Sequence, residues 1–245
     1  MIRTIIALCY LAFYFIISFP MFLVEKIVRS VSGSEKSMGM ACSFISWGFL
    51  CVKAIAGTRL TVIGKEKVPE DEAVLYISNH RSIFDIVLLF PLLNNPTAIL
   101  AKKSIEKVPV ISRWMKVVRC QFLDRNDIKQ GLQCILNCIR FAKEGESVLI
   151  FPEGTRSKTR DMGEFKDGSF KVAQKSGCRI VPVAVTNTDQ IFEAHLPWLA
   201  AQNVTIEFAE PIDMKELPAE EKKHIGEYVH KLVEDMYIRN RDAVN

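Results

Sequence analysis

No glycine-rich loop follows any strand-like run in this 245-residue chain. Neither GxxxxGK nor GxGxxG stands in such a place, which removes the nucleotide-binding versions of an α/β fold, because both need glycine to let backbone N–H groups close on phosphate. There is no GxSxG stretch, so the strained serine elbow of a hydrolase is missing. Histidine is scarce, with only His80, His195, His224 and His230, and they form no compact group. Seven cysteines include no CxxC pair, and Cys134 and Cys138 stand four apart without a histidine nearby. A metal centre is therefore not expected, and the thiols read as core residues of a reducing compartment. Lys and Arg exceed Asp and Glu by only 32 to 28, with no basic tail and no basic-aromatic repeat. That balance excludes nucleic acid as a partner and leaves a weak attraction to an anionic surface.

What the chain does have is long runs without charge. Thr4 to Val24 carries none, and Ser37 to Val52 carries none. The first just reaches the length needed to cross a hydrocarbon core of about 30 Å, and Pro20 is expected to kink its end. The second needs Ala54 to Ala56, and a snorkelling Lys53, to do the same. A cleaved leader fits poorly, since Arg3 is a thin positive region and no small-x-small site follows the run. The expectation is two retained helices over residues 1–57, joined by a polar connector around Arg29 to Lys36, that bring the chain into contact with a phospholipid bilayer. Two geometries fit: crossing twice as a hairpin, or dipping into one leaflet. Arg3, Lys26, Arg29, Lys36, Lys53 and Arg59 lie on both ends, which gives a modest preference for the cell membrane with residues 58–245 on its cytoplasmic face.

Residues 58–245 alternate strand and helix signals. Strands are expected at Arg59–Ile63, Val74–Ile77, Ala98–Ala101, within Cys120–Arg125, and at Ser147–Phe151, Ile180–Val185 and Val204–Phe208. Helices are expected from Ser82 or Phe84 to an end either before Pro91 or within the Asn94-Asn95-Pro96 break, over Ile111–Val118, from an Asp127 cap to Gly145, over Ser169–Ser176 closed by Gly177, and over Glu220–Tyr237. In the third of these, Ile128, Leu132, Ile135, Leu136, Ile139 and Phe141 read as the buried stripe. Pro182, without an N–H, is expected at an edge or strand start. The fold class is α/β: a mixed central sheet flanked by helices, preceded by the hydrophobic two-helix segment.

Two stretches carry candidate chemistry. NHRSIFD follows the VLYI strand and places His80 five positions before Asp85, where a carboxylate on one imidazole nitrogen fixes the tautomer that leaves the other free to take a proton. FPEGTRS follows the VLIF strand; its Pro152-Gly154 turn gathers backbone N–H groups, and Arg156 offers the paired donors that suit phosphate oxygens. Glu153 reads as an acceptor that orients this turn. Lys102, Lys103 and Arg125 end strands and add positive potential at the same mouth. Ser82 and Cys120 lack the company a covalent nucleophile needs, so His80 is expected to activate a hydroxyl for direct attack on an acyl thioester, with a backbone donor or water near Asn79 to Ser82 stabilising the oxyanion. A hydrolase giving the ester to water, and a non-catalytic module binding anionic lipid through Arg125 and Arg156, are the competing readings.

Taken together, NHRSIFD, CQFLDR, FPEGTRS and IVPVAV, in that order over Asn79 to Val185, resemble the four blocks of the glycerolipid acyltransferase family, especially bacterial 1-acyl-glycerol-3-phosphate acyltransferases. The resemblance implies that His80 is the catalytic base and Asp85 its orienting partner. It implies that Arg125 and Arg156 hold the acceptor phosphate, and that Asn79, Lys103, Glu153, Gly154 and Thr155 complete the substrate pocket. It further implies acyl transfer from acyl carrier protein or coenzyme A, as co-substrate and without a bound cofactor, to the sn-2 hydroxyl of lysophosphatidate, giving phosphatidic acid. The same blocks serve enzymes acting on glycerol 3-phosphate or other lysophospholipids.

Overall fold

The computed structural model describes residues 1–94, 96–157 and 161–244; Asn95, in the expected break, and part of the expected loop through Gly163 lie outside them. Helix α1 runs Ile2–Ala56 and passes through Pro20 without leaving helical geometry. Its one non-helical residue is Gly33, at φ 89 and ψ 171, a backbone state closed to most side chains. There the chain turns back on itself. Tyr10 Oη donates to Gly48 O at 3.4 Å, the Tyr14 ring stacks on Phe44 at 4.8 Å, and Ser37 Oγ donates to Glu25 Oε1 at 2.7 Å. The expected polar connector is thus helical on both sides of one glycine rather than a loop.

Seven strands follow: β1 (Arg59–Ile63), β2 (Val74–Ser78), β3 (Thr97–Lys102), β4 (Gln121–Leu123), β5 (Ser147–Ile150), β6 (Arg179–Thr186) and β7 (Asn203–Phe208), in the spatial order β1-β7-β6-β2-β5-β3-β4. Only the β6–β7 pairing is antiparallel, so the carboxyl ends of β2 to β6 share one edge. Helices α2 (Phe84–Leu89), α3 (Pro109–Val117), α4 (Ile128–Lys143), α5 (Lys171–Ser176), α6 (Ala219–Lys223) and α7 (Ile225–Val244) complete the chain, the last two divided at His224 where one helix was expected. Both faces of the sheet are covered, which is why β2 is buried at every residue and reads as an unbroken apolar run. Tyr76, Leu149, Val183 and Ile206 face α1, α2 and α3, whereas Leu75, Val148, Ile180 and Ala184 face α4, α5 and α7.

Two expectations fail here for packing reasons. Pro182 sits in central strand β6, not at an edge: Ile180 pairs with Ile212 but Val183 pairs with Phe208, so the register slips by one residue at the proline and no ladder bond is asked of its nitrogen. On α4, Ile128 is 87% exposed, Leu132 55% and Leu136 48%. Of the expected stripe, Phe141 is buried and Ile135 and Ile139 pack partly buried against the core; Cys134, Cys138 and Ala142 complete the buried face, with Gly131 close to Leu123. Small residues on that face let the helix approach the sheet more closely than leucines would. Cys9 is likewise exposed, unlike the buried Cys42, Cys120, Cys134 and Cys138.

Candidate active site

Connections from the adjacent parallel strands β2 and β5 leave for opposite faces of the sheet, through α2 on one side and α5 on the other. Such a point opens a crevice at the carboxyl ends of the strands. The NHRSIFD and FPEGTRS loops line that crevice.

Asn79 extends the β2–β6 ladder with its side chain. Its Nδ2 donates to Val185 O at 2.9 Å and its Oδ1 accepts from Val185 N at 2.8 Å, as a peptide unit would. His80 then projects into the crevice, its ring stacked on Phe151 at 4.3 Å. Its Nδ1 lies 2.8 Å from Oδ2 of Asp85, a residue in the first turn of α2 with no exposed surface. The same oxygen accepts from Arg81 N at 2.7 Å and Ser82 N at 2.9 Å, and the other accepts from Thr188 Oγ1. A carboxylate can only accept, so Nδ1 carries the proton and Nε2 presents its lone pair outward. Nε2 has no hydrogen-bond partner among the described residues.

Glu153 ties the two loops together. Its Oε1 accepts from His80 N at 2.7 Å, and its Oε2 from Gly163 N at 3.0 Å and from Ser157 Oγ, while His80 O accepts from Ser157 N at 2.8 Å. Glu193, in the segment after β6, adds a second tie: Oε2 accepts from Ser82 Oγ at 2.6 Å, and Oε1 from Ile83 N at 2.9 Å and Arg156 Nη1 at 2.8 Å. Phe84 N donates to Ser82 Oγ at 3.0 Å. Every backbone N–H from His80 to Phe84 therefore has an acceptor inside the protein, and the oxyanion donor expected in this loop is not among them.

The anion side of the crevice is split. Arg156, half exposed, stands over it from the β5 loop, and Gly154 takes a φ of 71 in the turn below, with Lys166 Nζ 3.1 Å from where a Cβ would stand. Thr155 is exposed beside them. Lys103 and Arg125, both exposed, end β3 and β4 on the same edge, but β4 lies three strands from β2, roughly 14 Å away at the usual strand spacing. Thr188, Glu193 and Lys166 carry no recognisable pattern in sequence; only the fold brings them here. Cys120 is buried and its thiol is pushed up to about 12 by desolvation, which removes it as a nucleophile at neutral pH. A groove of about 470 Å³ lined by Lys116, Arg119, Gln121 and Arg140, among others, opens at the far end of β4 and shares no residue with the crevice.

Fold and crevice define an α/β enzyme that works at the carboxyl ends of its strands. The chain belongs to the Acyltransferase family, whose model matches residues 59–186. It is similar to a 1-acyl-sn-glycerol-3-phosphate acyltransferase of Chlamydomonas reinhardtii, at 33% identity over 187 residues, spanning 76% of this chain and 56% of that one. The enzyme of the same name from Borreliella burgdorferi is 29% identical over 197 residues, 79% of this chain and 77% of its own. The crystal structure of PlsC from Thermotoga maritima, titled a 1-acyl-sn-glycerophosphate acyltransferase, shares the fold at a TM-score of 0.72 and 21% identity, over 97% of both chains.

Proposed function

We infer that this protein transfers a fatty acyl group from a thioester, carried by acyl carrier protein or coenzyme A, to the sn-2 hydroxyl of 1-acyl-sn-glycerol 3-phosphate, giving phosphatidic acid. The observation that carries this reading is the His80–Asp85 pair at 2.8 Å with Arg156 joined to the same loop through Glu193. It supports a site where one residue meets an alcohol and another meets its phosphate. The names of the relatives support the acceptor.

In this reading His80 Nε2 takes the proton of the acceptor hydroxyl as its oxygen attacks the thioester carbon. Asp85 holds the imidazole in the required tautomer and offsets the charge it gains. Arg156 grips the headgroup, with Lys166 beside it. Arg125 and Lys103 add positive potential from farther along the edge. Asn79 and Glu153 act through the backbone they hold, and Gly154 and Thr155 shape the turn. Stabilisation of the oxyanion falls to donors outside residues 80–84. Residues 1–57 act as the attachment to the bilayer, with residues 58–245 as the catalytic domain on the cytoplasmic face of the cell membrane. The apolar surface of α1, including Ile6, Phe13, Ile16, Phe19 and Leu23, supports that placement.

An assay offering lysophosphatidate, other lysophospholipids and glycerol 3-phosphate with both thioester donors tests the reading. Acylation should be greatest with lysophosphatidate, and His80→Ala should abolish it with the protein still sedimenting with vesicles. Equal thioester loss without an acceptor would establish a hydrolase instead.

A further inference from the structure

We propose that the exposed face of α4 is the docking surface for an acidic carrier protein that delivers the acyl thioester. The proposal rests on the acyltransferase reading of the His80 site and names the partner of that site. Four observations lead to it.

Ile128, Leu132 and Leu136 recur every four residues and are 87%, 55% and 48% exposed, an apolar stripe left uncovered by the described residues. Lys129 and Lys143 edge that stripe, with Arg140 beside them 3.9 Å from Glu144, and no Asp or Glu occurs between Ile128 and Lys143. An apolar seam edged by lysines fits an amphipathic helix with acidic margins, since the seam supplies contact area and the charges supply orientation and encounter rate. The helix also starts in the right place. It follows β4 at the strand edge that carries His80, so a partner seated on its first turns stands beside Lys103 and Arg125, roughly 14 Å along the edge from the imidazole by strand spacing. A thioester reaching His80 from there needs a tether, which a carrier protein has and a lipid does not. Finally, α4 packs on the sheet face opposite to the one covered by the apolar helix α1, so the stripe looks away from the surface that α1 offers to a bilayer.

The test uses the full chain in mixed vesicles with two donors, palmitoyl-acyl carrier protein and palmitoyl-coenzyme A, and three variants: Lys129→Glu, Leu132→Gln and the double change. These residues are exposed, so the far-ultraviolet spectrum and vesicle binding should match the parent. The expected result is a tenfold or greater fall in kcat/KM with the carrier-protein donor for the double variant, mostly in KM, with less than twofold change with the coenzyme A donor. Raising salt should weaken the parent's use of the carrier donor and narrow the gap to Lys129→Glu. Equal losses with both donors, no loss with either, or a parent that cannot use the carrier donor would each overturn the proposal. So would a change in vesicle binding, which would assign the face to lipid, or a change in sedimentation mass, which would assign it to a second copy of the chain. A parent inactive with both donors would instead defeat the acyltransferase reading itself.

Discussion

Removing the Glu193 carboxylate should loosen two loops at once, because it holds Ser82 Oγ, Ile83 N and Arg156. The contacts to Ser82 and Ile83 are the stronger part, at about 1.5–3 kcal/mol for a hydrogen bond to a charged group. Arg156 is half exposed, so its ion pair adds less than about 1 kcal/mol. Glu193→Ala should lower kcat/KM for the acceptor about tenfold, and Glu193→Gln, which still accepts from the Ile83 amide, should recover part of it. Asp85→Asn should cut kcat by about 10²–10⁴, as measured by single-turnover transfer, and should also lower the melting temperature, because a buried carboxylate that accepts four hydrogen bonds loses its charge. A maleimide should leave Cys120 and Cys138 unlabelled under native conditions while exposed Cys9 is open to it, as peptide mass mapping will show: burial pushes both buried thiols up to about 12. At this scale the sequence shows its short-range chemistry well. His80 and Asp85 are legible because one strand end and one helix turn separate them. Thr188 and Glu193 reach the same loop from 103 and 111 positions away, and an acid in FEAH looks like any surface glutamate. Glu153, read from its turn as an orienting acceptor, is found accepting from His80 N, whereas Asn79, placed in the substrate pocket by the resemblance, has its amide on the Val185 backbone, because residue type does not tell a ligand contact from a loop brace.

Among the elements, strands are legible because a sheet covered on both faces requires continuous apolar runs, and Val74–Ile77 can satisfy nothing else. The buried face of α4 is legible only in half: Ile135, Ile139 and Phe141 pack inward as expected, but the small Cys134, Cys138 and Ala142 take the rest of that face and leave Ile128, Leu132 and Leu136 outside. Gly48 shows the same preference for close approach in α1, where a Cβ would stand 2.5 Å from a carbon of the Tyr14 ring. Gly48→Ala should therefore force the two arms apart or turn the ring aside, at about 1–3 kcal/mol for overpacking. Thermal unfolding in detergent measures that loss, and adding Tyr14→Ala should return some of it, since the two changes share one contact.

For the whole molecule, α1 is more than an attachment. Met38, Ala41, Cys42 and Ile45 belong to the same core as Tyr76, Val183 and Ile206, and Trp114 of α3 packs between Phe22 and Phe44 while donating to Ser18 Oγ at 3.1 Å. Deleting residues 1–56 should not release a soluble enzyme. The truncated chain should aggregate or bind a hydrophobic dye strongly, as sedimentation and fluorescence will show, because one sheet face loses its cover and each large side chain uncovered forfeits about 1.5–3 kcal/mol.

The amide of Asn79 has one more effect. By standing in for a peptide link between β2 and β6, it carries the stiffness of a sheet interior one residue past the strand, up to the imidazole itself. Under the proposed function, a lipid entering the crevice would meet a base already fastened in position, leaving the affinity of its headgroup free to lower the barrier instead of assembling the machinery.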